Sequence, residues 1–248
     1  MERKAVIFDL FETLITEWGH KKYTKNEMCA DLGLERGRFD AYWDEKEAER
    51  YIGEISFPES ILYVCGKCGK PVDDSTLSLI IRKRTETKSL CFQHVHPDVY
   101  RLLERLKAAG YKLAIVSNCS SEEVTVIRQS RIYGYFHQVI LSYEAKLRKP
   151  DIRIYRKAAD LLGVSPKECV FVGDGGSNEL AGAKAAGMEA IQAKWYTNEL
   201  PHRRDSLPSF LTAEEPFDIL RYFEKGLDFP PLPGYTPLTS KQKGFDEE

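Results

Sequence analysis

Apolar positions along this chain fall into two patterns. Five short runs are continuously apolar and rich in β-formers: KAVIFDLF (4–11), KLAIVSN (112–118), QVILSY (138–143), CVFVGD (169–174) and EAIQAKW (189–195). None alternates, so each strand is expected to be covered on both faces, as in a parallel sheet. Between the later runs the apolar residues recur at helical spacing. Over 97–109, PDVYRLLERLKAA sets Val99, Leu102, Leu103 and Leu106 on one face, and Gly110 closes the helix. A helix over 121–132 opens on SSEE with acids in its first turn. Others are predicted over 151–162, stopped by Gly163, and over 178–186, stopped by Gly187. Strand alternating with helix predicts an α/β fold built on a doubly wound parallel sheet.

Residues 16–92 break this rhythm. They carry no strong strand and read as amphipathic helices over 24–31, 35–52, 57–67 and 74–89. An insertion of about 75 residues is far longer than an ordinary strand-to-helix connection. It is expected to be a small all-helical cap over the carboxyl end of the first strand, where open α/β sheets bind ligands. The predicted division is therefore a core of 1–15 and 93–225, a cap of 16–92 and a tail of 226–248. The tail, rich in Pro and Gly and acidic at its end, is expected to be extended or disordered, with Phe229 and Tyr235 as the residues that would pack on the core.

Composition narrows the function classes. With 248 residues, 42% hydrophobic and 30% charged, the chain has material for a sizeable core. A net charge of -2 leaves no electrostatic footprint for nucleic acid. No apolar run approaches the ~20 residues that span a bilayer. The N-terminus leads straight into a strand rather than a signal peptide, so a cytoplasmic protein without membrane partners is expected, as monomer or homodimer. The six cysteines are too sparse for a disulfide framework. CGKCG at 65–69 resembles half of a zinc knuckle, with Cys91, His94 and His96 as the nearby candidates for completing it; the alternative is a helix end broken by glycine. Among the aromatics, Trp18, Tyr23, Tyr42, Trp43 and Tyr51 read as cap core, with the stretch Trp18–His20 also placed to face a substrate.

Four polar sites fall at the carboxyl ends of predicted strands. Asp9 ends the first, Ser117-Asn118 the second and Asp174 the fourth, while Lys149 in KLRKPD starts the helix after the third. Taken singly, each has a plain structural explanation: a strand-end cap, a turn, a solvated loop lysine, a tight glycine turn. In a parallel sheet, however, these ends line one crevice.

In that order the motifs resemble those of the haloacid dehalogenase-like hydrolase superfamily, of the kind with a helical cap after the first strand. They are DxxxT as Asp9 to Thr13, the serine as Ser117, the lysine as Lys149 before Pro150, and Gly173-Asp174 followed by Asn178-Glu179. The likeness runs from Lys4 to about Glu224. It implies a Rossmann-like core and a covalent aspartyl nucleophile, Asp9. It implies Mg²⁺ held by Asp9, Asp174 and the main-chain carbonyl of Phe11, an oxygen ligand set suited to that ion. Ser117 and the backbone around Asn118 are implied as donors to the transferring oxygens, and Lys149 as a positive charge for those oxygens and for Asp9. Thr13 is implied to hold the turn, with Asn178 and Glu179 behind the metal.

One position departs from the pattern. Most phosphatases of this superfamily carry a second aspartate where Phe11 stands, and losing a positioned acid/base typically costs ~10²–10⁴-fold. The superfamily's haloacid dehalogenases have an aromatic there, since halide leaves unprotonated; they work without metal and lack the Asp of the GD pair. Its phosphonoacetaldehyde hydrolases use a cap lysine to form an imine. Lys46, within DEKEAER, is the nearest such lysine, though on a face that reads as solvated. Glu12 is adjacent, but its position turns it away from where Phe11 points. Because Asp174 is present, the expected function is a Mg²⁺-dependent phosphatase of a small phosphorylated metabolite. The alternatives are a dehalogenase-type or phosphonatase-type hydrolase, or a catalytically silent binding protein.

Overall fold

A computed structural model describes residues 2–198 and 204–223. The predicted tail, with Phe229 and Tyr235, lies outside the described residues. The five predicted strands form as β1 (Ala5–Phe8), β2 (Lys112–Ser117), β3 (Gln138–Leu141), β4 (Cys169–Gly173) and β5 (Glu189–Ala193), joined by a sixth, β6 (Leu211–Ala213). The sheet order is β3-β2-β1-β4-β5-β6, and every pairing is parallel.

The continuous apolar runs are explained by two cores rather than one. Successive strand residues point to opposite faces. Val6 and Phe8 of β1, Leu113 and Ile115 of β2, and Val170 and Val172 of β4 join one cluster. Their neighbours Ala5, Ile7, Ala114, Val116, Cys169 and Phe171 join another on the opposite face. Both faces are covered, so no strand residue needs to be polar until the strand ends.

The helices follow in chain order. α1 (Lys25–Leu32), α2 (Arg36–Glu45), α3 (Glu47–Tyr51), α4 (Phe57–Lys67) and α5 (Asp74–Leu90) lie between β1 and β2. Beyond them come α6 (Pro97–Ala108), α7 (Ser121–Gln129), α8 (Ser142–Ala145), α9 (Ile152–Leu162), α10 (Glu179–Ala185) and α11 (Asp218–Arg221). α6 brings Val99, Leu102, Leu103 and Leu106 to the first cluster. α9 and α10 bring Ile154, Tyr155, Leu180 and Ala183 to the second. The α1–α5 insert has a core of its own, with Tyr23, Met28, Phe39, Phe57, Ile61 and Ile80 buried together and Tyr42 and Trp43 packed against them.

Several boundaries differ from expectation. The predicted helix over 35–52 divides at Lys46, whose backbone (φ -99°, ψ 12°) leaves the helical region. The helix expected over 121–132 ends at Gln129, because Ser130 is extended (ψ 148°), and a 3₁₀ turn over Arg131–Tyr135 follows. β6, α8 and α11 span three or four residues each, too few to show a period.

All six cysteines are free thiols. Cys65 is buried in the insert core, and burial pushes its thiol up to about 11, the condition of an inert packing residue. Among the described residues the one group of side chains gathered closely enough to hold a metal is made of carboxylates, so the half zinc knuckle finds no completing ligands there.

Candidate active site

The chain leaves the sheet at Asp9, whose N–H still donates to the Val172 carbonyl (2.8 Å) and so fixes Asp9 beside the end of β4. A tight turn follows, closed by Leu14 and Ile15 N–H groups on the Leu10 carbonyl, with Glu12 in the left-handed region (φ 59°). Thr13 Oγ1 donates to Asp9 Oδ2 (3.2 Å), and Trp195 Nε1 anchors the turn through the Thr13 carbonyl (2.7 Å). Thr13 thus ties the Asp9 carboxylate to the turn that follows it.

Lys149 reaches Asp9 across 140 positions of sequence and bonds its Oδ1. Its ammonium also bonds Glu179 Oε2. The Asn118 side chain grips the main chain of Lys149 at both ends, accepting from its N–H (2.8 Å) and donating to its carbonyl (3.1 Å). That side chain thereby positions Lys149. Ser117 is buried at the end of β2, its hydroxyl making only a long contact (3.5 Å) with the Asn118 carbonyl.

The fourth strand delivers two more acids. Asp174 Oδ1 accepts from Gly176 N–H (2.9 Å), and Glu179 Oε1 accepts from Gly175 N–H (3.1 Å). A Cβ at Gly173 would collide with the Glu179 carboxylate, so glycine there lets that acid approach the sheet. Asn178 does not join them: it is exposed, with a left-handed backbone at the start of α10. Of the pair Asn178 and Glu179 expected beside the metal, only Glu179 joins the carboxylate cluster.

Asp9, Asp174 and Glu179 offer ligand oxygens within 4.8 Å of one another, and all three are buried. Burial pushes the Asp9 carboxyl above its usual range, Lys149 opposing and Asp174 adding to the rise. Glu179 is pushed well up by burial and by Asp9. Burial would lower Lys149, but Asp9 and Glu179 outweigh it and the ammonium is held charged. One buried lysine thus faces three buried carboxylates, with Arg204, on Asp174 (2.9 Å), partly exposed. A donor set of converging carboxylate oxygens with a deficit of positive charge suits a hard divalent cation.

A cavity of about 450 Å³ opens above this cluster. Its floor includes Asp9, Lys149, Asp174 and Glu179, and its insert side includes Glu47, Tyr51 and Lys88. Tyr51, read from the sequence as cap core, lines this cavity, whereas Trp18 is not among its lining residues and is 40% exposed beneath the Lys22 ammonium. The Phe11 side chain lines the same cavity. Its ring carries the Lys88 ammonium 4.6 Å from its centroid. Lys88 is buried and bridges Glu17 and Glu123 at 2.5 Å each. Arg84 shares Glu123 (3.5 Å) and bonds Glu122 (3.2 Å). Burial would lower the Lys88 ammonium, but Glu123 and then Glu17 outweigh it and hold it above its usual value. Lys46 instead pairs with Glu49 (2.8 Å) and lies over the Tyr63 ring, so the insert lysine nearest the chemistry is Lys88. Glu12 lines the cavity, but its carboxylate is bonded to Thr16 Oγ1 (2.5 Å) and Glu17 N–H (2.9 Å).

Sequence reasoning missed Lys88, Glu17 and Arg204. Glu123 was visible only as a first-turn acid of α7. Nothing in RKRTETKSL tells which lysine of α5 faces inward, since charged residues occur on all sides of that helix.

The chain matches the family model for haloacid dehalogenase-like hydrolases over residues 3–187. It is 26% identical over 232 residues to glyceraldehyde 3-phosphate phosphatase of Methanopyrus kandleri, covering 90% of this chain and 99% of that one. It is 36% identical over 199 residues to (S)-2-haloacid dehalogenase 4A of Burkholderia cepacia, covering 76% and 82%. Among solved structures, the magnesium complex of the HAD family enzyme BT-2542 from Bacteroides thetaiotaomicron superposes with a TM-score of 0.57 at 21% identity, covering 77% and 93%. The parallel sheet, the strand-end carboxylates and the family match together make this chain an enzyme of the haloacid dehalogenase-like hydrolases.

Proposed function

We propose that the chain is a Mg²⁺-dependent phosphatase of a small phosphorylated metabolite, with Asp9 as nucleophile and the α1–α5 insert as the cap over the substrate. The observation that carries this is the buried cluster of Asp9, Asp174 and Glu179. Displacement of halide by a single carboxylate gives no reason to bury two further acids beside it. Transfer of a phosphoryl group does, because a cation must offset the repulsion between carboxylate and phosphate. The phosphatase name of the Methanopyrus kandleri relative and the magnesium of the Bacteroides thetaiotaomicron structure agree with it.

Asp9 and Asp174, with the main-chain carbonyl of Phe11, would hold the ion, Glu179 standing behind. The ion, when bound, supplies charge to the transferring oxygens. Asp9 Oδ attacks phosphorus, forming an aspartyl-phosphate while the substrate alcohol leaves. Lys149 keeps Asp9 ionised and oriented, and Thr13 fixes its other oxygen. Ser117 and the backbone around Asn118 donate to the phosphoryl oxygens. Water then cleaves the aspartyl-phosphate and regenerates Asp9. The cavity, closed on one side by the insert, limits competing water.

Phe11 and the 36% identity to a haloacid dehalogenase favour a second possibility, carbon–halogen cleavage at Asp9. Imine chemistry finds less support, because Lys88 is held as an ammonium by two carboxylates and Lys46 stands outside the cavity.

The test is phosphate release from a panel of phosphorylated metabolites, with Mg²⁺ and with chelator, in wild type and Asp9→Asn. Chloride release from 2-chloropropionate is followed in parallel. Mg²⁺-dependent phosphate release that Asp9→Asn abolishes is expected. Chloride release that persists in chelator, with no phosphate release, would replace the phosphatase with the dehalogenase.

A further inference from the structure

We propose that Lys88 presents a fixed cation and a hydrogen-bond donor to the leaving-group oxygen, stabilising from the insert the charge that a second aspartate at position 11 neutralises by protonation in most phosphatases of the family. This rests on the phosphatase function proposed above. The two residues share one place: the Phe11 ring occupies the position of the missing acid, and the Lys88 ammonium sits 4.6 Å from that ring's centroid. Lys88 lines the same cavity as Asp9 and Asp174. Its residue exposure is only 7%, so its charge is less screened by water than one on the surface.

The geometry also leaves a donor available. An ammonium has three hydrogens. Glu17 and Glu123 accept two and pin the nitrogen from the linker and from α7. The ring lies beneath it, and a ligand oxygen in the cavity would take the third. Phosphoryl transfer leaves the electron pair of the broken P–O bond on the leaving oxygen, and a cation placed there disperses that charge. The oxygen then takes its proton from water. An aromatic at position 11 and a buried lysine above it become one arrangement: an aspartate there would bond the ammonium and use up the third hydrogen.

The test is leaving-group dependence with Mg²⁺ present. Rates are measured for alkyl phosphates, p-nitrophenyl phosphate and acetyl phosphate in wild type, Lys88→Met and Lys88→Arg. Wild type should depend only shallowly on leaving-group basicity. Lys88→Met should lose about 10²-fold more on alkyl phosphates than on p-nitrophenyl phosphate, the size expected for removing one positioned donor. Lys88→Arg should recover part of that difference. An equal loss across the series overturns the role of Lys88 and leaves the phosphatase standing. A steep dependence in wild type overturns it even if Lys88→Met fails to fold. No release by wild type from any of these phosphates overturns both.

Discussion

Asp174 and Glu179 share a strand-end loop yet serve the site differently. Among the described residues the Asp174 carboxylate bonds a backbone N–H and the partly exposed Arg204, so a cation displaces little on reaching it. Glu179 is tied to Lys149 and to Gly175 N–H. Binding to the folded state alone stabilises by RT ln(1 + [L]/Kd), about 2.7 kcal/mol at a hundredfold excess over Kd. Mg²⁺ is therefore expected to raise the melting temperature of wild type and to leave that of Asp174→Asn unmoved, in a thermal scan that needs no substrate. Asp9 and Asp174 were legible in the sequence because strand ends announce themselves: an apolar run that stops on Asp leaves that Asp at the rim, whereas Glu179, the first residue of α10, was marked only by the resemblance. Lys88 and Arg204 were not. They reach the site from the insert and from a loop, where no run of apolar residues fixes which way a side chain points.

At the level of elements, the long helix α5 carries Lys88 into the site, so its start matters to its far end. Asp73 caps it, accepting from Thr76 N–H (2.8 Å) and from the hydroxyls of Ser75 (2.5 Å) and Thr76 (3.0 Å). These bonds favour the charged carboxylate and hold Asp73 down to about 2. A carboxyl depressed in the folded state stabilises above its unfolded value, near 4, and that contribution is lost as pH falls toward 2. Asp73→Asn is therefore expected to melt below wild type at pH 7, with the gap closing between about pH 4 and pH 2. Melting curves of both proteins over that range measure it. The elements themselves were largely readable. Strands feeding two cores must be apolar throughout, and helices with one buried stripe must show a period. The break at Lys46 was hidden because the residues on either side of it are good helix formers, and β6 because three residues form no pattern.

Across the whole molecule, the insert and the sheet-bearing core are joined by buried charge pairs. Arg84 and Lys88 of α5 face Glu122 and Glu123 of α7, and Phe57 N–H at the start of α4 donates to Ser121 Oγ (2.8 Å). Breaking one partner of a buried pair leaves an uncompensated charge and costs about 3–5 kcal/mol. Glu123→Gln should therefore lower the urea midpoint substantially. Removing Arg128, whose pair with Glu144 lies at the surface, should cost no more than about 1 kcal/mol. The same urea titration compares both.

The strand order has a consequence for how the chain is made. β1 emerges first from the ribosome yet ends between β2 and β4, neither of which exists until a hundred or more residues later. Until β4 arrives, Asp9 has no Val172 carbonyl to bind and no Asp174 beside it. Closing so long a loop before any contact rewards it slows folding. The nascent chain therefore carries a wholly apolar segment that stays unpaired until β2 is made, and its three clustered carboxylates cannot meet before β4 and α10 have been added.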